Sequence, residues 1–520
     1  MIRRRSRLCS HAIDARARRP GMPRRCVLAL LVSGAALGWI SAPARGETLV
    51  LTGATLIDGT GRDPVPSSVV VIEQGRIRIA GAAADCTIPD GARIVDLTGH
   101  WISPGLVDAH VHLDLGSESS ALEAQTRRFA LGITTTREAS SLTVTRALRE
   151  KRRASDADVP RPRLVVAARP VQKNFDEFTH GSADTATLVA ALKALGVDAI
   201  KLKGVNDAES AVEAVNAARL HGLPVYGHTW AGATPVVFHR EAVQAGLNGV
   251  SHMAAMRLMG VPDPAVFSGG PPAAFGTDAF WEWHKNIWLE TSPELLEAAV
   301  REMIARDVWL EPLLTQEYYF GTRLFSPEQF AYLNPNRSLR QQMAGPAVAP
   351  PGPRFGESYA RIRFVIQRFY ELGGMLVVGG DDKLPGWDVA KEIELLRDAG
   401  LPAMDALQCA TRNAAVAIGR ADTLGTLRPG LLADIVVYGS DPLGAIENMG
   451  DVIWVIKGGV MHDPASVLRP LCDRHDREAR RLWLVRGAKL LALIVGVGFV
   501  LGLAWRARRH LLASTANSPR

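Results

Sequence analysis

The chain has 520 residues, 47% of them hydrophobic, which suffices for one large barrel with additions or for two or three smaller domains and excludes a shortage of core material. Its net charge of +7 sits at the ends: residues 1–44 carry nine basic side chains and one acidic, residues 471–520 ten and three, and the body between is acidic. No basic face interleaved with aromatics runs through that body, so a nucleic-acid-binding surface is not implied and none is expected.

The first segment reads as an export signal. An arginine-rich start is followed by an apolar run over 27–40 and by Ala42-Pro43-Ala44, the small-x-small form of a cleavage site. A signal peptide over 1–44 is expected, delivering the body across a membrane. Cys9 and Cys26 lie in or before it, and Cys86, Cys409 and Cys472 are scattered and odd in number. Neither a disulfide framework nor a cysteine zinc site is supported. Short β segments come next, at 49–52, 68–73, 76–80 and 94–96, separated by turns such as Gly59-Thr60-Gly61 and Glu73-Gln74-Gly75. The same texture returns at 434–438 and 451–457, which predicts one small β-sandwich built from both ends of the body, 45–102 and 421–470.

Between these parts, over 103–420, apolar strand-like runs alternate with helical stretches, the signature of a parallel α/β architecture. Eight strands are predicted, at 105–111, 132–136, 163–167, 198–202, 224–226, 249–251, 308–314 and 375–379, the number that closes a (β/α)8 barrel. Asn206 is placed to cap a helix through Ala211, Val212, Val215 and Ala218 that stops at Gly222. The spacers 254–307 and 315–373 are long and contain Gly269-Gly-Pro-Pro272 and Ala349-Pro-Pro-Gly352. On a barrel such loops rise from the C-terminal face and wall the substrate pocket. Trp281, Trp283, Trp288, Tyr318 and Tyr319 fall in or near them and either line that pocket or pack the loops. Residues 490–505 are sixteen positions without a charge, flanked by Lys489, Arg506, Arg508 and Arg509. They read as a C-terminal transmembrane helix after a basic stretch, 471–520 in all, tethering the exported body to the membrane.

The segment Pro104-Gly-Leu-Val-Asp-Ala-His-Val-His-Leu113 ends the first barrel strand with two histidines two apart. Alternate side chains of a strand share a face, so His110 and His112 offer two imidazoles to one cation. The pair alone is a modest signal. Its weight comes from Lys201 in strand four, His228 after strand five, His252 after strand six and Asp381 after strand eight, which puts six candidate ligands on one rim. Structural histidines have no reason to track strand ends; His221, His239, His462, His475 and His510 fall elsewhere and are set aside. Two choices stay open on spacing alone, since Lys203 shares a face with Lys201 and Asp382 adjoins Asp381.

Gly105-Leu-Val-Asp-Ala-His-Val-His112, Gly132-Ile-Thr-Thr-Thr-Arg-Glu138, Ala199-Ile-Lys-Leu202, Tyr226-Gly-His228, Val250-Ser-His252, Gly379-Gly-Asp381, Ala410-Thr-Arg-Asn-Ala-Ala415 and Gly425-Thr-Leu-Arg-Pro-Gly-Leu-Leu-Ala-Asp434 together resemble the amidohydrolase superfamily. The resemblance runs over about 49–463 and is nearest to prolidase-like and imidazolonepropionase-like members. It implies two divalent metal ions, usually zinc, with His110, His112 and Asp381 on one, His228 and His252 on the other, and Lys201 bridging them after carboxylation by carbon dioxide. The match of Ala199-Ile-Lys-Leu202 favours Lys201 over Lys203, and a desolvated, cationic rim keeps such an amine uncharged enough to react. It further implies a bridging water acidified by the two ions, a polarised carbonyl, and Asp381 as the group that moves the proton to the leaving group. Where the family commonly has Arg-Asp after strand two, this chain has Arg137-Glu138.

The expected function is therefore an exported, membrane-tethered amidohydrolase cleaving an amide in a small-molecule substrate, a dipeptide or N-acyl amino acid, with homo-oligomerisation left open. The rivals are a cyclic-amide or lactone hydrolase, a one-metal deaminase and a non-catalytic binding protein on the same fold. The deaminase generally needs His-x-x-Glu, whereas Ala255 stands three after His252. Arg412 and Asn413 are expected to hold the barrel against the sandwich.

Overall fold

The computed structural model describes residues 47–113, 117–141, 143–170, 184–203, 207–229, 239–263, 283, 286–317, 353–382, 385–471, 473–474 and 504–505. Ala42–Leu471 form one compact unit; of the other, Met1–Ser41 with Cys472–Arg520, only four residues are described. The expected signal peptide lies outside the described residues.

Apolar and β-branched runs form the strands, in chain order β1 (Leu49–Thr52), β2 (Thr55–Leu56), β3 (Ser68–Glu73), β4 (Arg76–Ala82), β5 (Arg93–Asp96) and β6 (Trp101–Pro104). Then come β7 (Leu106–Val111), β8 (Ile133–Ser141), β9 (Arg163–Ala168), β10 (Ala199–Leu202), β11 (Val225–Gly227), β12 (Gly249–Ser251) and β13 (Trp309–Glu311). The chain returns through β14 (Ile435–Tyr438), β15 (Val452–Lys457) and β16 (Val460–His462). Helices fill the gaps between barrel strands: α1 (Glu118–Ala130), α2 (Val144–Ala154), α3 (Thr185–Leu195), α4 (Ala208–Leu220), α5 (His239–Ala245), α6 (Ala254–Met259), α7 (Pro293–Ile304) and α8 (Pro353–Glu371). After the last barrel segment come α9 (Trp387–Asp398), α10 (Ala403–Cys409) and α11 (Arg412–Ala417). Side-chain oxygens of Ser117, Asp184 and Ser292 cap α1, α3 and α7, each accepting from a backbone N–H three residues on. The cap of α4 is Asp207, which accepts from Ser210 N, in place of the expected Asn206, which lies outside the described residues.

β7 to β13 pair in chain order as a parallel seven-stranded sheet. Side chains alternate across it. Leu106, Leu164, Val166, Ile200 and Leu310 pack outward into the helix layer, while Val107, Ala109, Val165, Ala167, Ala199, Tyr226 and Trp309 form an inner cluster. Gly249 is required by this inner packing, since a Cβ there would lie 2.1 Å from the Trp309 indole.

The expected eighth strand at 375–379 is corrected to a bridged segment. A single parallel bridge joins Leu376 to Leu310, and hydrogen bonds run from Ala109 N to Val378 O and from Asp381 N to His110 O. Two glycine pairs, Gly373-Gly374 and Gly379-Gly380, bracket only four residues, and glycine weakens strand pairing at both ends. The segment nonetheless bonds to both the first and the last strand of the sheet. The expected transmembrane helix is also overturned: among the described residues no helix is long and apolar enough to cross a membrane. Its sixteen uncharged residues fall short of the roughly 20 that a bilayer core requires. Apart from Ala504 and Trp505, that segment lies outside the described residues.

Both ends of the body meet in a five-stranded sheet, β16-β15-β14-β6-β2, beside a four-stranded sheet, β4-β3-β1-β5. Lys457 of β15 fastens the first of these to the barrel. Its buried Nζ donates to the carbonyls of Ala154, Asp156 and Arg161 at 2.8 Å and of Val159 at 3.0 Å, around the end of α2. Arg412 Nη1 also reaches Thr60 O at 3.5 Å, and Asn413 Nδ2 donates to Leu376 O at 3.1 Å. We predict that Lys457→Met, which leaves these carbonyls without a donor, lowers unfolding stability by about 3 kcal/mol; an unshifted thermal midpoint would show that the cage contributes nothing.

Candidate metal centre

β7 delivers His110 and His112 to one end of the sheet, β10 delivers Lys201, and the residues directly after β11 and β12 are His228 and His252. Gly227, with φ at +145°, lets the chain turn into His228, and a Cβ there would sit 2.3 Å from Leu202 O. His252, Asp381 and Asp382 have left-handed φ angles of 69°, 54° and 58°. Such backbone costs about 1–3 kcal/mol per residue and persists only where surrounding contacts over-determine it.

His110, His112 and Asp381 present ligand atoms that all lie within 4.8 Å of one another. His112 Nε2 is 3.2 Å from Asp381 Oδ1, and His110 Nε2 is 3.8 Å from the same oxygen. The imidazoles then continue as a row. Ring centroids are 5.2 Å apart for His110 and His112, 5.2 Å for His110 and His252, and 4.8 Å for His228 and His252. Lys201 is fully buried, its Nζ donating to Ser251 Oγ at 3.1 Å and lying 4.7 Å from the Tyr226 ring. Lys203, just beyond β10, is only half-buried. Asp382 is set apart from Asp381 by its partners, since it accepts from His112 N and from Arg128 Nη2.

A carboxylate that the sequence reading did not single out organises this floor. Glu311, the last residue of β13, accepts from Ser251 Oγ at 2.7 Å and from Arg137 Nη2 at 3.0 Å, and its Oε2 lies 2.7 Å from His110 Nδ1. With Nδ1 engaged in this way, His110 turns Nε2 towards Asp381, the arrangement by which a carboxylate orients a metal-binding histidine. His112 is held likewise, its Nδ1 3.2 Å from Ser140 Oγ and 3.8 Å from Glu138 Oε1. The Arg137-Glu138 pair therefore supports the rim: Glu138 also accepts from Leu113 N, and the Arg137 guanidinium stacks 3.5 Å from the Tyr226 centroid.

The electrostatics suit a cation. Burial holds His110, His228 and His252 well below the ordinary histidine range, and Lys201 well below that of an amine. Metal ligands must be unprotonated, so these shifts favour a bound ion over bound protons. Burial also opposes a charge on His112, but hydrogen bonds to Asp381 and Glu138 outweigh it and push that imidazole up to about 9. The aromatics divide. Trp288 is core, Trp283 packs against Leu258, Val261 and Ile287, and Trp281, Tyr318 and Tyr319 lie outside the described residues. His239 is buried with Nδ1 3.1 Å from Thr229 Oγ1, the residue after His228, and His462 reaches Ala157 O.

Residues 374–461 match the family model described as amidohydrolase family. The match, with the relatives and folds that follow, supports an amidohydrolase superfamily member. Among individual proteins it is similar to the imidazolonepropionase of Rhizorhabdus wittichii, 47% identical over 55 residues, 11% of this chain and 14% of that one. The match thus spans about a seventh of that relative's length. In fold it is similar to a Bifidobacterium longum structure described as a prolidase, with TM-score 0.58, 20% identity and coverage of 81% of this chain and 95% of that one. A Xaa-Pro dipeptidase with bound methionine gives TM-score 0.55 and 20% identity over 80% of this chain and all of that one.

Glu311→Gln keeps the shape but loses the charge that orients His110 and balances Arg137. We predict a 10- to 100-fold loss of divalent metal affinity, read by titration with Zn²⁺ against a circular-dichroism control for folding; unchanged affinity in a folded variant would remove Glu311 from the centre.

Proposed function

We propose that this chain is a hydrolase of carbon–nitrogen bonds that uses two divalent metal ions, zinc being the simplest assignment, to cleave the amide of a dipeptide or N-acyl amino acid. The observation that carries the reading is the convergence of His110 Nε2 and His112 Nε2 on Asp381, at the head of a row of imidazoles that runs through His252 to His228. His110, His112 and Asp381 would hold one ion and His228 and His252 the other. Lys201, wholly buried and held by that burial well below the usual range of an amine, would bridge them after its amine forms a bond to the carbon of carbon dioxide and releases a proton. When bound, the ions would supply an acidified water and polarise the scissile carbonyl.

The protein's own share is orientation and proton movement. Asp381 takes the proton of the attacking water and passes it to the leaving nitrogen as the carbon–nitrogen bond breaks. Linear substrates are favoured by the names of the structures that share the fold, a prolidase and a Xaa-Pro dipeptidase. A lactone or cyclic amide presents the same carbonyl and is the alternative within this chemistry. Export belongs to the proposal on the strength of the apolar run at 27–40 and Ala42-Pro43-Ala44.

The test is metal analysis of the purified chain, followed by a screen of dipeptides and N-acyl amino acids. Turnover should disappear with a chelator and return with Zn²⁺. Lys201→Ala should lower kcat/KM roughly a thousandfold, about 4 kcal/mol of barrier. A variant that stays active with one ion per chain would support the deaminase-like, one-metal reading instead, and a metal-free, inactive wild type would refute both.

A further inference from the structure

Arg128 lies on α1, away from the row of imidazoles, and nothing in the chemistry above uses it. It is nevertheless among the largest fully buried side chains, 1% exposed. Its Nε donates to Asp108 Oδ2 at 3.0 Å, and its Nη2 donates to Asp382 Oδ1. The far oxygens of the two carboxylates are also occupied. Asp108 Oδ1 accepts from His110 N at 3.1 Å and from Gly380 N at 2.8 Å, and Asp382 Oδ2 accepts from His112 N. One planar guanidinium thus joins two carboxylates whose other ends hold the backbone N–H groups of His110 on β7, of His112 just after it and of the glycine just before Asp381. The loop of contacts closes through Asp381 N, which donates to His110 O at 2.8 Å. A third carboxylate, Asp388, packs against Gly380, where an added Cβ would lie 2.5 Å from its Cγ.

We propose that Arg128 is a positioning residue that sets the separation of the His110/His112 pair from Asp381, and so the ligand geometry of the candidate metal centre. Asp381 and Asp382 are consecutive non-glycine residues in left-handed backbone, a conformation that relaxes unless it is pinned. The Asp108–Arg128–Asp382 clamp pins it through backbone N–H groups, leaving the ligand side chains out of the clamp. Only a guanidinium fits the task, because its rigid fork reaches two carboxylates at once whereas an ammonium is a single point. The proposal rests on the metal reading above.

The experiment uses the full chain loaded with Co²⁺, whose visible absorption reports ligand geometry independently of turnover. Arg128→Met and Arg128→Lys are compared with wild type for Co²⁺ affinity, spectrum and, once a substrate is in hand, kcat and KM. The expected result is a 10- to 100-fold loss of affinity and an altered spectrum in Arg128→Met, a smaller loss in Arg128→Lys, and a fall in kcat at nearly constant KM. Should Arg128→Met fail to fold, Asp382→Asn carries the test, since it keeps the side-chain shape while removing the charge that Arg128 grips. Folded variants with wild-type spectrum and affinity would overturn the clamp and leave the metal reading standing. A wild-type chain that takes up no Co²⁺ would overturn the metal reading, and the clamp with it.

Discussion

A buried carboxylate, that of Glu311, is the constraint on which the centre depends. It meets the Arg137 guanidinium on one side and His110 and Ser251 on the other, with Lys201 one hydrogen bond further on. Glu311 and Arg137 are both without exposure, and removing either partner of such a pair typically costs about 3–5 kcal/mol because the other is left charged and dry. Arg137 in turn donates to Ala109 O at 2.7 Å and stacks on Tyr226, so the same charge pair ties β7, β8, β11 and β13 together. Packing of the barrel interior and orientation of the histidines are consequently one problem with one solution.

Much of this was legible in the chain because strand periodicity and ligand chemistry point the same way. His110, His112, His228 and His252 each stand where an apolar run ends, and the structure brings them into one row with Asp381 at its head. The choice between Asp381 and Asp382 was not legible, since it depends on Arg128, which is distant in sequence and appears there as one more arginine on an amphipathic helix. Glu311 was hidden inside a strand-like run. A signal did exist, because a carboxylate two residues after Trp309 shares that side chain's inward face, and a charge directed into a barrel demands a partner.

The misjudged elements share a cause, the reading of length from composition. Residues 375–379 have the apolar content of a strand, but flanking glycines leave room for one bridge, with the remaining bonds made singly to either neighbour. The stretch at 490–505 has the composition of a membrane span without its length. At the start of α4 the error was one residue, Asp207 capping where Asn206 was expected, because either side chain supplies the same acceptor.

The five-stranded sheet bears on how this chain reaches its native state. β6 pairs with β14 from Trp101 against Tyr438 to Pro104 against Ile435, and Arg76 Nη1 bonds to Gly430 O across 354 positions. During synthesis the early strands emerge with an open edge and wait for nearly the whole barrel before their partners exist. Loop closure of that span is slow, so the nascent amino-terminal half is the aggregation-prone species. A chain cut short before β14 would lack the partner edge for β6, whatever the state of its catalytic half.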